Sequence, residues 1–143
     1  MSRPALQAAY IAIENRLTAG AEPWGRKIRI SVVKSGTTYP YVVQFWAGGG
    51  SANRIKQRDA ELRIAVKAVS DKMADVMICA ERITELLDDH GYQDNADDYL
   101  SGGTSWTILS ITEEDAFFLA EPVSNTITVY HVGAFYRLFM QHT

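Results

Sequence analysis

The stretch from Asp59 to Asp88 reads DAELRIAVKAVSDKMADVMICAERITELLD, and its period changes partway along. From Asp59 to Val69 polar and apolar residues alternate. Leu62, Ile64, Val66 and Ala68 fall on one side, and Glu61, Arg63, Ala65 and Lys67 on the other. Successive side chains of a strand point to opposite faces, so this is a strand with one dry and one wet face. Ser70-Asp71 then reads as an N-cap, because short polar side chains accept hydrogen bonds from the first free helical N–H groups. Beyond it Met73, Val76, Met77, Ala80, Ile83 and Leu87 recur at the helical period, with Leu86 widening the stripe. His90-Gly91 stops this helix, which runs to about Asp88.

Elements of the same two kinds lie on either side. Residues 4–18 predict a helix: Pro4 suits a first turn, and Leu6, Tyr10, Ile13 and Leu17 share one face. Ala19 to Gly25 reads as a loop. Lys27 to Val33 alternates as a half-buried strand. Tyr39-Pro40-Tyr41 leads into Val42, Val43, Gln44, Phe45 and Trp46, a β-branched and aromatic run that makes a second strand. Ala47 to Asn53, with Gly48-Gly49-Gly50, reads as a loop that joins residues up to 58 in a mobile Gly-rich arm (47–58). Tyr92 to Gly103 is an acidic loop. Trp106 to Ile111 gives a fourth strand, and Asn125 to Met140 is β-rich, with Gly133 marking a bulge or turn. Neighbouring strands with two helices predict an α+β fold. The expectation is a mainly antiparallel sheet of four to six strands with two helices packed on one face. Val66, Met77, Ile83 and Phe135 are its expected core. Residues 1–143 read as a single domain.

Composition narrows the function. A chain of 143 residues buries roughly 70% of its unfolded surface and needs neither disulfide nor metal to fold. Cys79 is the single cysteine, so no internal bridge forms; in its helical setting it reads as a small buried apolar residue. No apolar run reaches the roughly 18 residues of a membrane span, and the sequence reads as that of a protein made and kept in a cytoplasm. Charge is divided unevenly. Residues 1–72 carry 12 Lys/Arg against 5 Asp/Glu, and residues 73–143 carry 2 against 12. Such halves suit head-to-tail or side-by-side association of copies, pairing basic residues 26–67 with acidic residues 75–98.

The tempting chemical motifs do not hold together. Gly48-Gly49-Gly50-Ser51 lies between two strands, not between a strand and a helix, and Lys56 is misplaced for a phosphate loop. Asp88, Asp89, Asp94, Asp97 and Asp98 fit no frame of the calcium-binding loop. His90, His131 and His142 lack paired metal-ligand spacings. Ser110, Asp115 and His131 compose a catalytic triad only by selection, and the strand pattern accounts for them. Arg54, Lys56 and Arg58 alternate along the arm without the interleaved aromatics that stacking on nucleic acid needs. No catalytic, cofactor or metal site is assigned, and the chain does not read as an enzyme.

Three places together carry a resemblance: Thr38-Tyr39-Pro40-Tyr41-Val42-Val43, Glu61-Leu62-Arg63-Ile64-Ala65-Val66 ahead of the long helix, and the closing pair Thr126–Tyr130 and Ala134–Met140. In order and spacing the chain resembles the tail-terminator, or tail-completion, proteins of long-tailed bacteriophages over nearly its whole length. The acidic 92–103 loop is longer than that pattern. The resemblance implies a structural virion protein without enzyme activity or cofactor. It would form a hexameric ring on the last ring of tail-tube subunits and stop tube growth. It would also offer a surface to the head-completion (neck) protein, with DNA passing through the lumen unread. Its place would be the tail–neck junction of the virion, after assembly in the host cytoplasm. A neck adaptor or stopper protein of the head-to-tail connector is the alternative, and a small ligand-binding or hydrolytic α+β domain a more distant one. The candidate assembly contacts are Arg54, Lys56, Arg58, Asp94, Asp97 and Asp98.

Overall fold

The computed structural model describes residues 5–31, 37–50, 59–88 and 106–142. In chain order the elements are α1 (Ala5–Thr18), β1 (Ile28–Ile30), β2 (Tyr41–Gly50), β3 (Asp59–Ser70), α2 (Met73–Leu87), β4 (Trp106–Pro122) and β5 (Thr128–His142). The strands form one five-stranded sheet in the order β1-β2-β3-β5-β4. Only β1 runs parallel to its neighbour; β2, β3, β5 and β4 pair antiparallel in turn. The fold is α+β, as the period change in 59–88 predicts.

The alternation in β3 decides where the helices sit. Leu62, Ile64, Val66 and Ala68 are buried in one cluster with Ala8, Ala9, Ala12, Ile13 and Leu17 of α1 and Val76, Cys79, Ile83 and Leu87 of α2. Both helices therefore cover the same face. Alanines at positions 8, 9 and 12 let α1 approach closely. Trp24 is fully buried, and its indole Nε1 donates to the Leu17 carbonyl at 2.8 Å. That bond satisfies a carbonyl the helix end leaves free. Gln44 also points into this core and donates through Nε2 to the Tyr10 carbonyl at 3.1 Å, tying β2 to α1.

Several boundaries differ from the sequence reading. β1 stops at Ile30, where Ser31 turns into the left-handed region at φ 62°. β2 continues through Gly48, Gly49 and Gly50, which pair with Arg63, Leu62 and Glu61; a register shift between Trp46 and Gly48 admits the glycines to the ladder. Residues 51–58 of the expected arm lie outside the described residues. β4 extends to Pro122, well past Ile111. Its polar run Thr112 to Asp115 carries no alternating signal, but pairing with β5 continues across two register shifts. Gly133 marks no bulge: it sits opposite Lys67 and Phe117 in regular register. A Cβ there would lie 2.2 Å from the Val66 carbonyl oxygen and 2.6 Å from Lys67 Cα, so the absence of a side chain permits the β3–β5 approach.

α2 is rotated relative to its predicted stripe. Val76, Cys79, Ile83, Leu86 and Leu87 are buried, whereas Met77 is 50% exposed and Met73 is exposed too. Ser70 does not cap the helix from the N-cap position, which Lys72 occupies; instead its Oγ accepts the Lys72 N–H at 3.2 Å. Phe135 lies half-buried on the opposite face of the sheet, and its neighbour Tyr136 fills the core.

Candidate functional site

Neither helix packs on the second face of the sheet. Its apolar part is small: Val43, Val69 and Val129, flanked by Tyr41 and Phe45. Beside it the wet positions of β3, β5 and β4 meet. Arg63 bridges Glu114 at 3.3 Å and Asp115 at 3.1 Å; Arg137 bridges Glu114 at 3.0 Å and also pairs with Glu61. The Arg63 guanidinium lies 4.2 Å from the ring centroid of Phe135, which itself packs against Phe117. A register shift between Glu113 and Asp115 inserts Glu114 and brings consecutive carboxylates within reach of the two arginines. Hydrogen bonds that Arg137 donates to Glu114 and Glu61 raise its pKa.

Further along this face Lys67 lies 5.8 Å from the Phe45 ring centroid, and His131 sits 3.4 Å from Glu121. Burial lowers the pKa of both Lys67 and His131. The Lys67 charge lowers His131 further, and Glu121 opposes the shift in each. On the helix side, Arg82 of α2 clamps Glu22 through two contacts of 2.9 Å and reaches Glu85 at 3.1 Å, which raises its pKa.

Nothing in this arrangement assembles reacting groups. Ser110 stands opposite Phe139, eight residues along β5 from His131, a separation of roughly 26 Å at strand rise. Burial pushes the Cys79 thiol up to about 11, away from a nucleophile's range. Among the described residues no group of three or more His, Cys, Asp or Glu is placed to hold a metal ion. No described helix is long and apolar enough to cross a membrane.

Apolar surface concentrates instead at the β4–β5 hairpin and on α2. Phe118, Leu119, Val123 and Ile127 are about half exposed, as are Met77 and Ile78. Between α2 and the hairpin runs an open groove of about 260 Å³. Val132, Gly133, Tyr136 and Ala116 lie along it with Met77 and Ala80, and Glu81 and Glu113 add charge. A second hollow of about 300 Å³ lies between Pro23, Pro40, Asp75, Ile78 and Cys79. Tyr39 and Tyr41 stack at 5.7 Å on either side of Pro40, so the Tyr-Pro-Tyr run forms the lead into β2.

The six contact residues predicted from sequence, Arg54, Lys56, Arg58, Asp94, Asp97 and Asp98, all lie outside the described residues. Sequence reasoning missed the outer half of β4. Phe117-Phe118-Leu119 was a legible apolar signal there, but the acidic run before it hid the strand.

No protein-family model and no curated protein sequence matches this chain. Among solved structures, it is similar to a chain in the virion of a native gene transfer agent (GTA) particle. The TM-score is 0.64 and the identity 16%, and the likeness covers 96% of this chain and 95% of the other. At that identity the likeness establishes a shared fold.

Proposed function

We propose that this chain is a structural protein of a phage-like virion that caps the tail tube as a ring, stops tube polymerisation and offers a surface for joining the head. The observation that carries the reading is the two-way coverage: the fold matches a virion chain over 96% of this chain and 95% of that one. Within such a particle, the resemblance in 38–43, 61–66 and the closing strand pair supports the tail-capping place. The described residues add charged strands and apolar ridges suited to contacts with other chains. In this reading the chain is not an enzyme, and its partners are further copies of itself, the tail-tube protein and the neck protein. The ring is a hexamer at the tail–neck junction, and DNA crosses its lumen without being read. Arg54, Lys56 and Arg58 dock the ring on the tube, with Asp94, Asp97 and Asp98 as complementary contacts.

Deleting the coding sequence from the particle that carries it tests the proposal. Micrographs should show tails of unregulated length, and supplying the protein in trans should restore one length. Tails of normal length that fail to join heads would assign the chain to the neck instead. Normal infectious particles would end both readings.

A further inference from the structure

We infer that copies of this chain associate edge to edge, the acidic β4 strand of one copy lying along the basic β1 strand of the next. This rests on the ring reading above and names the surfaces that would form the ring.

The sheet has two edge strands among the described residues, β1 and β4. Their charges are opposite. Residues 26–31 contain Arg26, Lys27 and Arg29 and no carboxylate, whereas residues 106–122 contain Glu113, Glu114, Asp115 and Glu121 and no Lys or Arg. Neither Arg26 nor Arg29 has an ion-pair partner among the described residues, and Glu22, close in sequence, is held by Arg82. On the other edge, Asp115 keeps 73% of its side chain exposed despite its contact with Arg63, and Glu121 keeps 56%. Apolar surface accompanies both: Ile30 on β1, and Phe118 and Leu119 on β4, are 44–53% exposed.

Strand direction is compatible with such a contact. From β2 across to β4 the strands alternate, so β4 runs opposite to β2 and therefore to β1, which is parallel to β2. Carrying the sheet from β4 of one copy onto β1 of the next makes an antiparallel pair, the more favourable ladder. β4 is the other edge strand, and beyond Glu113, whose N–H is held by the Asp88 carboxylate at 2.8 Å, such an edge offers backbone groups to a neighbouring strand. β1 has three residues, so the ladder is short and side-chain charge supplies most of the selectivity. The two surfaces lie on opposite sides of one sheet, which makes the contact heterologous: each copy uses a different patch toward each neighbour, and rings or filaments result.

Two charge-reversed proteins test this. Arg26→Glu with Arg29→Glu makes both edges acidic, and Glu113→Arg with Asp115→Arg and Glu121→Arg makes both basic. Sedimentation velocity and native mass spectrometry would follow association, and circular dichroism would follow folding. Each variant alone should associate at least tenfold more weakly than the parent, and an equimolar mixture should recover assembly with alternating copies. Parent assemblies should also dissociate as salt rises toward 1 M, a measurement that holds even if a variant misfolds. Parent-like assembly by both variants alone overturns the edge contact while leaving the ring standing. Failure of the mixture to assemble from folded variants overturns it too, as does a parent chain that stays monomeric. An assembling parent that leaves tail length unregulated would instead remove the capping role and keep the edge contact.

Discussion

The two faces of the sheet are built on different physics. On the helix-covered face, β3 and β5 contribute Leu62, Ile64, Val66, Tyr136, Leu138 and Met140, all buried to within 5% of completely, against two helices. On the other, the same strands contribute Glu61, Arg63, Lys67, His131 and Arg137, charged or titratable groups linked by ion pairs and ring contacts and left partly in water. Alternation along one chain supplies both. Burial of apolar area stabilises roughly in proportion to the area removed from water, whereas exposed ion pairs contribute about 0–1 kcal/mol each. Stability should thus reside on the covered face, and the open face is available for contacts.

The largest expected effect comes from cutting into the covered face. Ile83 is 1% exposed in the cluster joining α2 to the sheet. Ile83→Ala should cost about 2–5 kcal/mol, since the removed atoms leave a cavity that close-packed neighbours fill only partly. Urea unfolding measures it, and a loss below about 0.5 kcal/mol would mean that α2 does not seal this face. Next is Gly133, where the faces meet at the β3–β5 backbone. Gly133→Ala puts a Cβ 2.2 Å from the Val66 carbonyl oxygen, and the obstacle is backbone, which cannot swing aside. A cost of about 1–3 kcal/mol is expected, as for overpacked sites. A neutral or stabilising Gly133→Ala would contradict this β3–β5 register.

The open face should respond less. Arg63→Met removes the contacts to Glu114 and Asp115 but keeps an aliphatic stem over Phe135. With both partners partly exposed, the loss should stay at or below about 1 kcal/mol and largely vanish in 1 M salt. A larger, salt-independent loss in thermal or urea unfolding would place the network in a desolvated setting and erase the contrast between the faces.

The covered face was the legible one. The period change at Ser70 identified β3 and α2, and alternation named Val66 and its neighbours as core, because burial against a helix layer selects apolar residues at fixed spacing. The middle of β4 was not legible. Thr112 to Asp115 is polar on both sides and lies at an edge, where solvent satisfies side chains of any kind; only the β5 ladder makes it a strand. The glycines of β2 were misassigned for a related reason: local propensity favours a loop, and cross-strand pairing with Arg63, Leu62 and Glu61 overrides it. Phe135 and Tyr136 show the limit of composition. Both are aromatic, so nothing intrinsic told which faces the core, and a one-residue shift exchanges the faces. The sequence-predicted contact residues lie outside the described chain, while the surfaces that emerged, β1 and the outer half of β4, depend on strand order, which local pattern does not carry.

The smallest effect should come from Met77, and it tests the boundary of the covered face. Helical spacing put Met77 in the buried stripe, one turn from Met73 and next to Val76. An apolar arc wider than the contact it makes leaves the assignment of its edge open, and packing resolved it: Val76, Cys79 and Ile83 turn inward, so Met77 rotates out to 50% exposure beside the groove toward β4. Truncating an exposed side chain removes few contacts, and Ala has the higher helix propensity. Met77→Ala should therefore change stability by no more than about 0.5 kcal/mol in urea unfolding. A cost of 2 kcal/mol or more, the range of buried methionines, would mean that α2 is rolled toward β4 and the groove closed. Ile83→Ala would then fall toward the surface range, so the pair of variants reads the helix's rotation in both directions.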